Sequence, residues 1–331
     1  MSNSVNQPLL SICIPTYNRA GLLRVCLDSI FFQFKDEGLK DLIEVVVSDN
    51  ASPDSTEALV LEYQKTFPQL KYFRNPENIG GDLNLANSVV KASGKYAWYL
   101  GDDDALVLGA LKYIVKILTQ TQPAVLGVVS LSLLDPSKVP EEIFVPEKTG
   151  PIILDSFQEF MARRYCLGIL SVILFDRELW LGVDRSEFHT LWLYYEVVLK
   201  LMPKAKGRKF VYINQPCVYT GEGCGWVKNG GELRSFLDWK DILCSLSQYG
   251  YDEHWIKQEL KNFPNWLIII LLRAKGHDLS MEFKHLKRVY KSFSGHVFYL
   301  ALATVIFYVP NFIIKAVRKS KKFFRAGFAQ I

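Results

Sequence analysis

Continuous apolar runs alternate with amphipathic stretches through the first 120 positions of the chain. Leu9-Leu10-Ser11-Ile12-Cys13-Ile14-Pro15 predicts a buried strand stopped by proline. Ala20 to Phe34 predicts a helix, with Leu22, Leu23, Cys26, Leu27 and Ile30 on one face. Ile43 to Val47 is a second, β-branched strand that ends at Ser48-Asp49-Asn50. Good helix formers after Pro53-Asp54 predict a helix over Ser55 to Thr66. Leu70 to Phe73 is a short strand, and Asp82 to Ala92 an amphipathic helix closed by Ser93-Gly94. Tyr96 to Leu100 is a strand again, followed by a helix over Leu106 to Thr119.

Strands of this kind, apolar on both faces and separated by helices, predict an α/β fold with a mostly parallel, covered sheet. In such sheets ligands collect beyond the carboxyl ends of the strands. Three polar strand ends coincide here: Thr16-Tyr17-Asn18-Arg19, Ser48-Asp49-Asn50 and Gly101-Asp102-Asp103-Asp104. After Pro123 the pattern loosens. Ala124 to Leu134, Leu167 to Phe175 and Lys209 to Ile213 predict strands, and Glu187 to Leu201 a helix. A loop of small residues follows, Tyr219-Thr220-Gly221-Glu222-Gly223-Cys224-Gly225-Trp226, and from Asp238 the chain reads as mainly helical. The expected organisation is one α/β domain over 1–235 and a helical extension over 236–331.

Composition narrows this little: 49% apolar and 22% charged residues are ordinary for a globular chain of 331. The six cysteines form no CxxC and no zinc spacing, and Cys13 and Cys26 lie in core-like stretches, so a reduced cytosolic setting is expected. Met1 to Pro8 is polar and the next apolar run is too short for a signal-peptide core. Charge is more informative. Six basic and no acidic residues fall between Lys315 and Ile331, and subtracting those six from the net +5 leaves −1 on the remainder. A near-neutral body with a basic tail argues against a large nucleic-acid surface.

Three consecutive carboxylates at the tip of a buried strand repel one another and are costly to desolvate, so they call for a cation. Hard oxygen ligands suit Mg²⁺ or Mn²⁺, ions that commonly carry substrate phosphates. The competing reading is a solvated acidic turn at the N-terminus of the helix predicted from Leu106. No Ser-His-Asp grouping, P-loop or GxGxxG is present.

Four segments in order, with their spacing, resemble the family 2 glycosyltransferases over about residues 8–120. They are Ser11-Ile12-Cys13-Ile14-Pro15-Thr16-Tyr17-Asn18-Arg19, Glu44-Val45-Val46-Val47-Ser48-Asp49-Asn50-Ala51-Ser52-Pro53-Asp54, Asn75-Pro76-Glu77-Asn78-Ile79-Gly80-Gly81, and Gly94 through Asp104. The Asp49-Asn50-Ala51-Ser52 and Leu100-Gly101-Asp102-Asp103-Asp104 forms are most similar to bacterial O-antigen transferases of the abequosyltransferase kind. The resemblance implies a GT-A fold, with a nucleotide-sugar part over about 8–120 and an acceptor part over about 121–235. Two departures stand out: Gly101 occupies the place of a common aspartate, and an arginine usual after the Asn-x-Gly turn is replaced in a stretch containing Asn84, Leu85 and Asn87.

The likeness further implies an inverting transfer of a sugar from a nucleoside diphosphate to a glycan. Asp102 and Asp104 would hold the metal, with Asp103 turned to ribose or sugar hydroxyls or joining the metal shell. Asp49 would accept the imide N–H of the base, and Pro15, Thr16 and Asn18 would shape the loop over it. Arg19 would meet phosphate or form a surface ion pair, and Asn78 and Gly80 mark a tight turn near the nucleotide. Glu196 is the expected base for the acceptor hydroxyl, with Asp184 and Glu187 as rivals. His189 could complete the metal shell, and Trp226 could stack on a sugar; structural roles compete for both.

Val297 to Ile314 is eighteen residues without a charge, interrupted by Pro310-Asn311 and flanked by basic residues. A spanning helix needs about twenty. An in-plane or shallow anchor on the cytoplasmic leaflet is therefore expected, with a spanning helix and a buried helix as alternatives. Such an anchor suits a polyprenyl-diphosphate-linked glycan acceptor, as in O-antigen or other surface polysaccharide synthesis. The competing functions are a non-catalytic nucleotide- or glycan-binding protein at the membrane and a nucleotidyltransferase.

Overall fold

A computed structural model describes residues 7–132, 144, 150–163, 169–186, 188, 192–221, 231–276 and 283–314. The chain divides into two units, Met1–Gly223 and Cys224–Ile331. In the first, the described strands are β1 (Leu10–Thr16), β2 (Ile43–Asp49), β3 (Leu70–Arg74), β4 (Tyr96–Tyr99), β5 (Ala105–Leu106), β6 (Val125–Ser132), β7 (Ile152–Leu154), β8 (Ile173–Asp176) and β9 (Phe210–Thr220). The helices are α1 (Ala20–Phe31), α2 (Glu37–Lys40), α3 (Thr56–Gln64), α4 (Gly81–Lys91), α5 (Ala110–Thr121), α6 (Phe157–Ala162), α7 (Arg177–Leu181) and α8 (Leu193–Leu201).

The strands form one sheet in the order β3-β2-β1-β4-β8-β6-β9-β5, with β7 also on β9. From β3 to β4 every pairing is parallel. Leu10, Ile12, Cys13 and Ile14 of β1 and Val45, Val46 and Val47 of β2 are fully buried, because helices cover both faces of this half. Beyond β4 the sheet is mixed. β8 runs antiparallel to β4 and β6, and β5 and β7 antiparallel to β9, while β6 and β9 are parallel. An all-parallel arrangement thus holds for the first half only.

Several predicted boundaries move. The helix expected from Leu106 begins at Ala110, because Ala105–Leu106 pairs with Tyr219 and Val218 and Gly109 turns the chain at φ 91°. The carboxylate triplet therefore does not cap that helix. The strand expected over Lys209–Ile213 continues to Thr220, and Pro216, which has no N–H for the ladder, sits where the register with β6 shifts. Among the described residues, the strand expected from Leu167 is regular over Ile173–Asp176, after a 3₁₀ turn at Leu170–Val172. The helix expected from Glu187 begins at Leu193, and α1 ends at Phe31 in a 3₁₀ turn.

At the opposite ends of the strands from the polar cluster, Glu44 is buried. Its carboxylate accepts from Ser11 Oγ, the Ser93 N–H and Oγ, and the Gly94 N–H, and it pairs with Lys71. Gly94 has no room for a side chain, since a Cβ there would lie 2.5 Å from Ser11 Oγ. Burial works to raise the Glu44 pKa, but Lys71, Ser11 and Ser93 together outweigh it and hold the group below the ordinary 4.5. With a depressed folded pKa, its stabilising contribution is present above the unfolded value and lost as pH falls through the folded one. Glu44→Gln is expected to cost about 2–3 kcal/mol at neutral pH. It should also flatten the fall in melting temperature on acidification below about pH 5, as read by thermal denaturation across pH.

The second unit consists of helices among its described residues: α9 (Gly231–Ser245), α10 (Glu253–Leu260), α11 (Phe263–Gly276), α12 (Phe283–Ser292) and α13 (Val297–Tyr308). Phe236 stacks on Phe263 and Phe293, and Arg288 bonds Asp238 and Asp241. Among the described residues no helix is long and apolar enough to cross a membrane. α13 stops ahead of Pro310, and Lys275 Nζ donates to the carbonyls of Phe307 and Val309 at 2.7 and 2.6 Å.

Candidate functional site

Parallel register places the three predicted polar ends side by side. Thr16 is the partner of Asp49 across β1 and β2, and Asp49 is the partner of Arg74 across β2 and β3. Strand β4 pairs Tyr99 with Cys13, so the chain leaves the sheet at Leu100 and turns through the aspartates on the same edge.

Asp102 and Asp104 are buried and point to different partners. Thr16 Oγ1 donates to Asp102 Oδ2 at 2.8 Å. Arg19, about one third exposed, bridges Asp102 Oδ1 at 3.0 Å and Asp103 Oδ2 at 3.4 Å. Asp104 accepts from Ser171 Oγ, and its Oδ1 accepts from the Gly221 N–H at 2.9 Å. Ser171 Oγ in turn accepts from the Gly101 N–H at 2.8 Å. Burial pushes both Asp102 and Asp104 up to about 6; Arg19 and Thr16 counter it at Asp102, and Ser171 and Gly221 at Asp104.

Glycine at 101 and 221 has a steric reason. A Cβ on Gly101 would stand 2.8 Å from Asp104 Oδ2 and 3.0 Å from Asp103 Oδ1, so a side chain there would have to displace both carboxylates. A Cβ on Gly221 would stand 2.4 Å from the backbone oxygen of Asp103. Gly221→Ala must push β9's end away from the triplet and break its bond to Asp104. If the chain has the activity that its sequence resemblance implies, an ångström-scale displacement of this kind is expected to lower kcat/KM about 10²-fold, as read by steady-state kinetics.

Asp49 is completely buried and sits among donors. Its Oδ1 accepts from the Ser52 N–H at 2.9 Å and its Oδ2 from the Tyr72 hydroxyl at 2.6 Å. Burial, and next the bond to Asp49, drives the Tyr72 pKa well up, so its hydroxyl stays a donor. Arg74 Nε lies 4.0 Å from Asp49 Oδ2 and its guanidinium donates to the Ser52 carbonyl. The Asn18 N–H donates to Ser52 Oγ, joining the loops after β1 and β2, and Asn18 and Ala51 both take positive φ, 56° and 62°. Pro15 stands opposite Ser48 inside the sheet.

Amides fill the stretch where the arginine is missing. Asn84 donates to the Ser48 carbonyl at 2.8 Å and accepts from Ser48 Oγ and Asn75. Asn50 donates to Asn78 Oδ1 and accepts from Asn75 and the Ile79 N–H. Asn78 also accepts from the Gly80 N–H, fixing the turn into α4 at a positive Gly80 φ of 87°.

The residues beyond position 123 are less closely gathered. Glu196 is buried on α8 with its Oε1 2.8 Å from Lys200 Nζ, one turn on. Asp184 is exposed and accepts from the Ser186 N–H at 2.9 Å. Glu187, His189 and Trp226 lie outside the described residues. Ser171, Tyr72 and Arg74 escaped the sequence reading. Tyr72 and Arg74 end a short strand beside Asp49, which was a usable signal; Ser171 lies 67 positions from Asp104 and gave none.

Two buried carboxylates raised by desolvation, with Arg19 bridging Asp102 and Asp103, form a donor set that fits a divalent cation. Among the described residues no three of His, Cys, Asp and Glu converge as a metal cage. The fit is thus to an ion of the Mg²⁺ or Mn²⁺ type, held by one or two carboxylates with phosphate oxygens and water completing its shell.

Comparison with known proteins bears on this geometry. Residues 11–154 match the family model described as glycosyl transferase family 2. Abequosyltransferase RfbV of Salmonella typhimurium is 30% identical over 251 residues, 70% of this chain and 72% of that protein. The GalNAc(5)-diNAcBac-PP-undecaprenol beta-1,3-glucosyltransferase of Campylobacter jejuni is 38% identical over 110 residues, covering 33% of this chain and 34% of that protein. Among solved structures, mannosyltransferase PcManGT from Pyrobaculum calidifontis in complex with GDP-Man and Mn²⁺ superposes with a TM-score of 0.54. It has 18% identity and covers 96% of this chain and 89% of that one, a likeness of fold.

Proposed function

The chain belongs to glycosyl transferase family 2 and has the GT-A fold, and from that premise we propose an inverting, metal-dependent transfer of a sugar from a nucleoside diphosphate to a lipid-linked glycan. The observation that carries the reading is the alignment of Thr16, Asp49 and Arg74 in register on one sheet edge, with Asp102–Asp104 at the end of β4 beside them. Known relatives support its parts: one is named for abequose transfer, another for an undecaprenol-linked substrate, and a structural neighbour holds GDP-Man and Mn²⁺. By extension the acceptor is a polyprenyl-diphosphate glycan of O-antigen or another surface polysaccharide, presented at the cytoplasmic leaflet.

In this mechanism Asp49 accepts the imide N–H of the base. Each of its oxygens already has one donor and keeps a second lone pair for the ligand. Tyr72 and Ser52 hold the carboxylate in place for that contact. Pro15, Thr16 and Asn18 carry the loop over the base, and Asn78 and Gly80 shape the turn at its edge. Arg19 bridges two carboxylates in the free protein and transfers to the donor's phosphates when they arrive. Asp102 and Asp104 would hold Mg²⁺ or Mn²⁺, with Asp103 meeting sugar or ribose hydroxyls. A bound divalent ion supplies Lewis-acid stabilisation of the charge that builds on the departing diphosphate. Glu196 takes the acceptor's proton.

The test is calorimetric titration of UDP-, GDP-, CDP- and dTDP-sugars with Mn²⁺, followed by product analysis with a polyprenyl-diphosphate glycan. Binding of one nucleotide class, with release of its diphosphate and a lengthened glycan of inverted anomeric configuration, is expected. Binding without turnover of any donor would mark a non-catalytic member of the family, and conversion of a nucleotide sugar with added pyrophosphate to nucleoside triphosphate and sugar 1-phosphate a nucleotidyltransferase.

A further inference from the structure

The second unit carries an apolar strip that its own packing leaves open. Helix α13 buries Leu300, Ala303 and Ile306 and exposes Val297, Ala301, Val305 and Tyr308. The exposed positions are spaced by four, four and three residues, so they lie along one helical face. Phe298 beside them is 68% exposed, and Phe312, past Pro310, is 70% exposed. Single exposed apolar residues are ordinary, but a contiguous strip on a helix marks a contact surface.

Its neighbour α12 supplies charge. The Tyr290 hydroxyl lies 2.6 Å from Thr304 Oγ1, which docks α12 against the edge of the strip. Lys287 and Lys291, both exposed, stand one turn before Tyr290 and one residue after it. Arg288 points the other way, into its bonds with Asp238 and Asp241. From Phe283 to Ile331 the sequence has ten Lys and Arg and no Asp or Glu.

We propose that this face is a lipid-docking surface, on which α13 lies in the plane of an anionic bilayer. The strip enters the boundary between headgroups and acyl chains, and Lys287 and Lys291 meet lipid phosphates. Twelve residues of helix reach about 18 Å, well short of the roughly 30 Å hydrocarbon core, so α13 lies along the membrane rather than across it. Lys275 donates to the Phe307 and Val309 carbonyls at the helix end, where the ladder stops, so these groups are satisfied as backbone near lipid requires. Charge selects the partner. A second copy docked face to face would bring two sets of lysines together with no acidic residue after position 282 to balance them, whereas an anionic leaflet complements them. The proposal rests on the sugar-transfer reading only for its purpose, which is to hold the site beside a lipid-linked acceptor.

Flotation of the full-length protein with vesicles of phosphatidylcholine, alone or mixed with phosphatidylglycerol, tests this without donor or acceptor. Wild type is expected to bind the mixed vesicles at least tenfold more tightly than the neutral ones. Phe298→Asp with Val305→Asp should lose at least tenfold on both, and Lys287→Glu with Lys291→Glu should lose only the preference for anionic lipid. All four sites are exposed, so melting temperatures should stay unchanged. Wild-type flotation by the Asp variant overturns the proposal. So does a wild type that ignores vesicles and self-associates in sedimentation through contacts the Asp variant abolishes. Failure to float with intact nucleotide-sugar turnover sinks the docking face alone; flotation with no turnover of any donor sinks the transfer reading alone.

Discussion

Asp104→Asn is expected to eliminate most sugar transfer while the protein melts at or above the wild-type temperature. The two effects have one cause. Burial holds Asp104 up to about 6, against 3.8 for the free group, despite bonds from Ser171 and Gly221. A carboxyl whose folded pKa is raised contributes stability below its unfolded value and loses it as pH rises through the folded one. At neutral pH the ionised group is therefore a cost that a phosphate-bound cation would repay. Asparagine removes the charge and keeps a polar side chain between Ser171 and Gly221. Alanine leaves both donors unmatched, and its loss of activity would be confounded with loss of fold. Removing a ligand from an ion that stabilises a leaving diphosphate forfeits several kcal/mol, at least about 10²-fold in kcat. The same loss should follow excess EDTA in wild type, and Mn²⁺ affinity measured in the presence of nucleotide should fall in the variant. Full activity in Asp104→Asn would move the metal to Asp102 and Asp103, which Arg19 already joins.

What could be foreseen follows from how local each feature is. Strands β1, β2 and β4 were legible because each is buried on both faces, so its apolar run is nearly continuous. Their parallel order alone was enough to bring Thr16, Asp49 and Asp102 to one edge. Partners supplied from far along the chain were not legible. Ser171 reaches Asp104 through an antiparallel strand whose preceding turn has no periodicity, and Gly221 reaches it at the end of a strand hidden by Gln215-Pro216. Gly101 looked like a defect in a motif; the space between Asp103 and Asp104 accounts for it. Ser93-Gly94 read as a helix stop, and it is also the cradle of Glu44.

Glu196→Gln is expected to lower kcat by about 10²–10⁴-fold with donor affinity unchanged, the cost of losing a positioned general base. Activity alone does not decide the matter, because the structure gives this carboxylate a second employment. Its Oε1 lies 2.8 Å from Lys200 Nζ and both side chains are buried. Removing one partner of such a pair costs about 3–5 kcal/mol, whereas replacing both by groups of similar volume can be neutral or stabilising. The informative variant is thus Glu196→Gln with Lys200→Met. If Glu196 takes the acceptor's proton, the double variant regains the melting temperature lost in the single one and stays slow. If the pair serves only to hold α8, rate and stability recover together. The proton acceptor is then sought at Asp184, whose carboxylate is exposed and accepts from the Ser186 N–H, and Asp184→Asn becomes the variant that must slow transfer without loss of melting temperature.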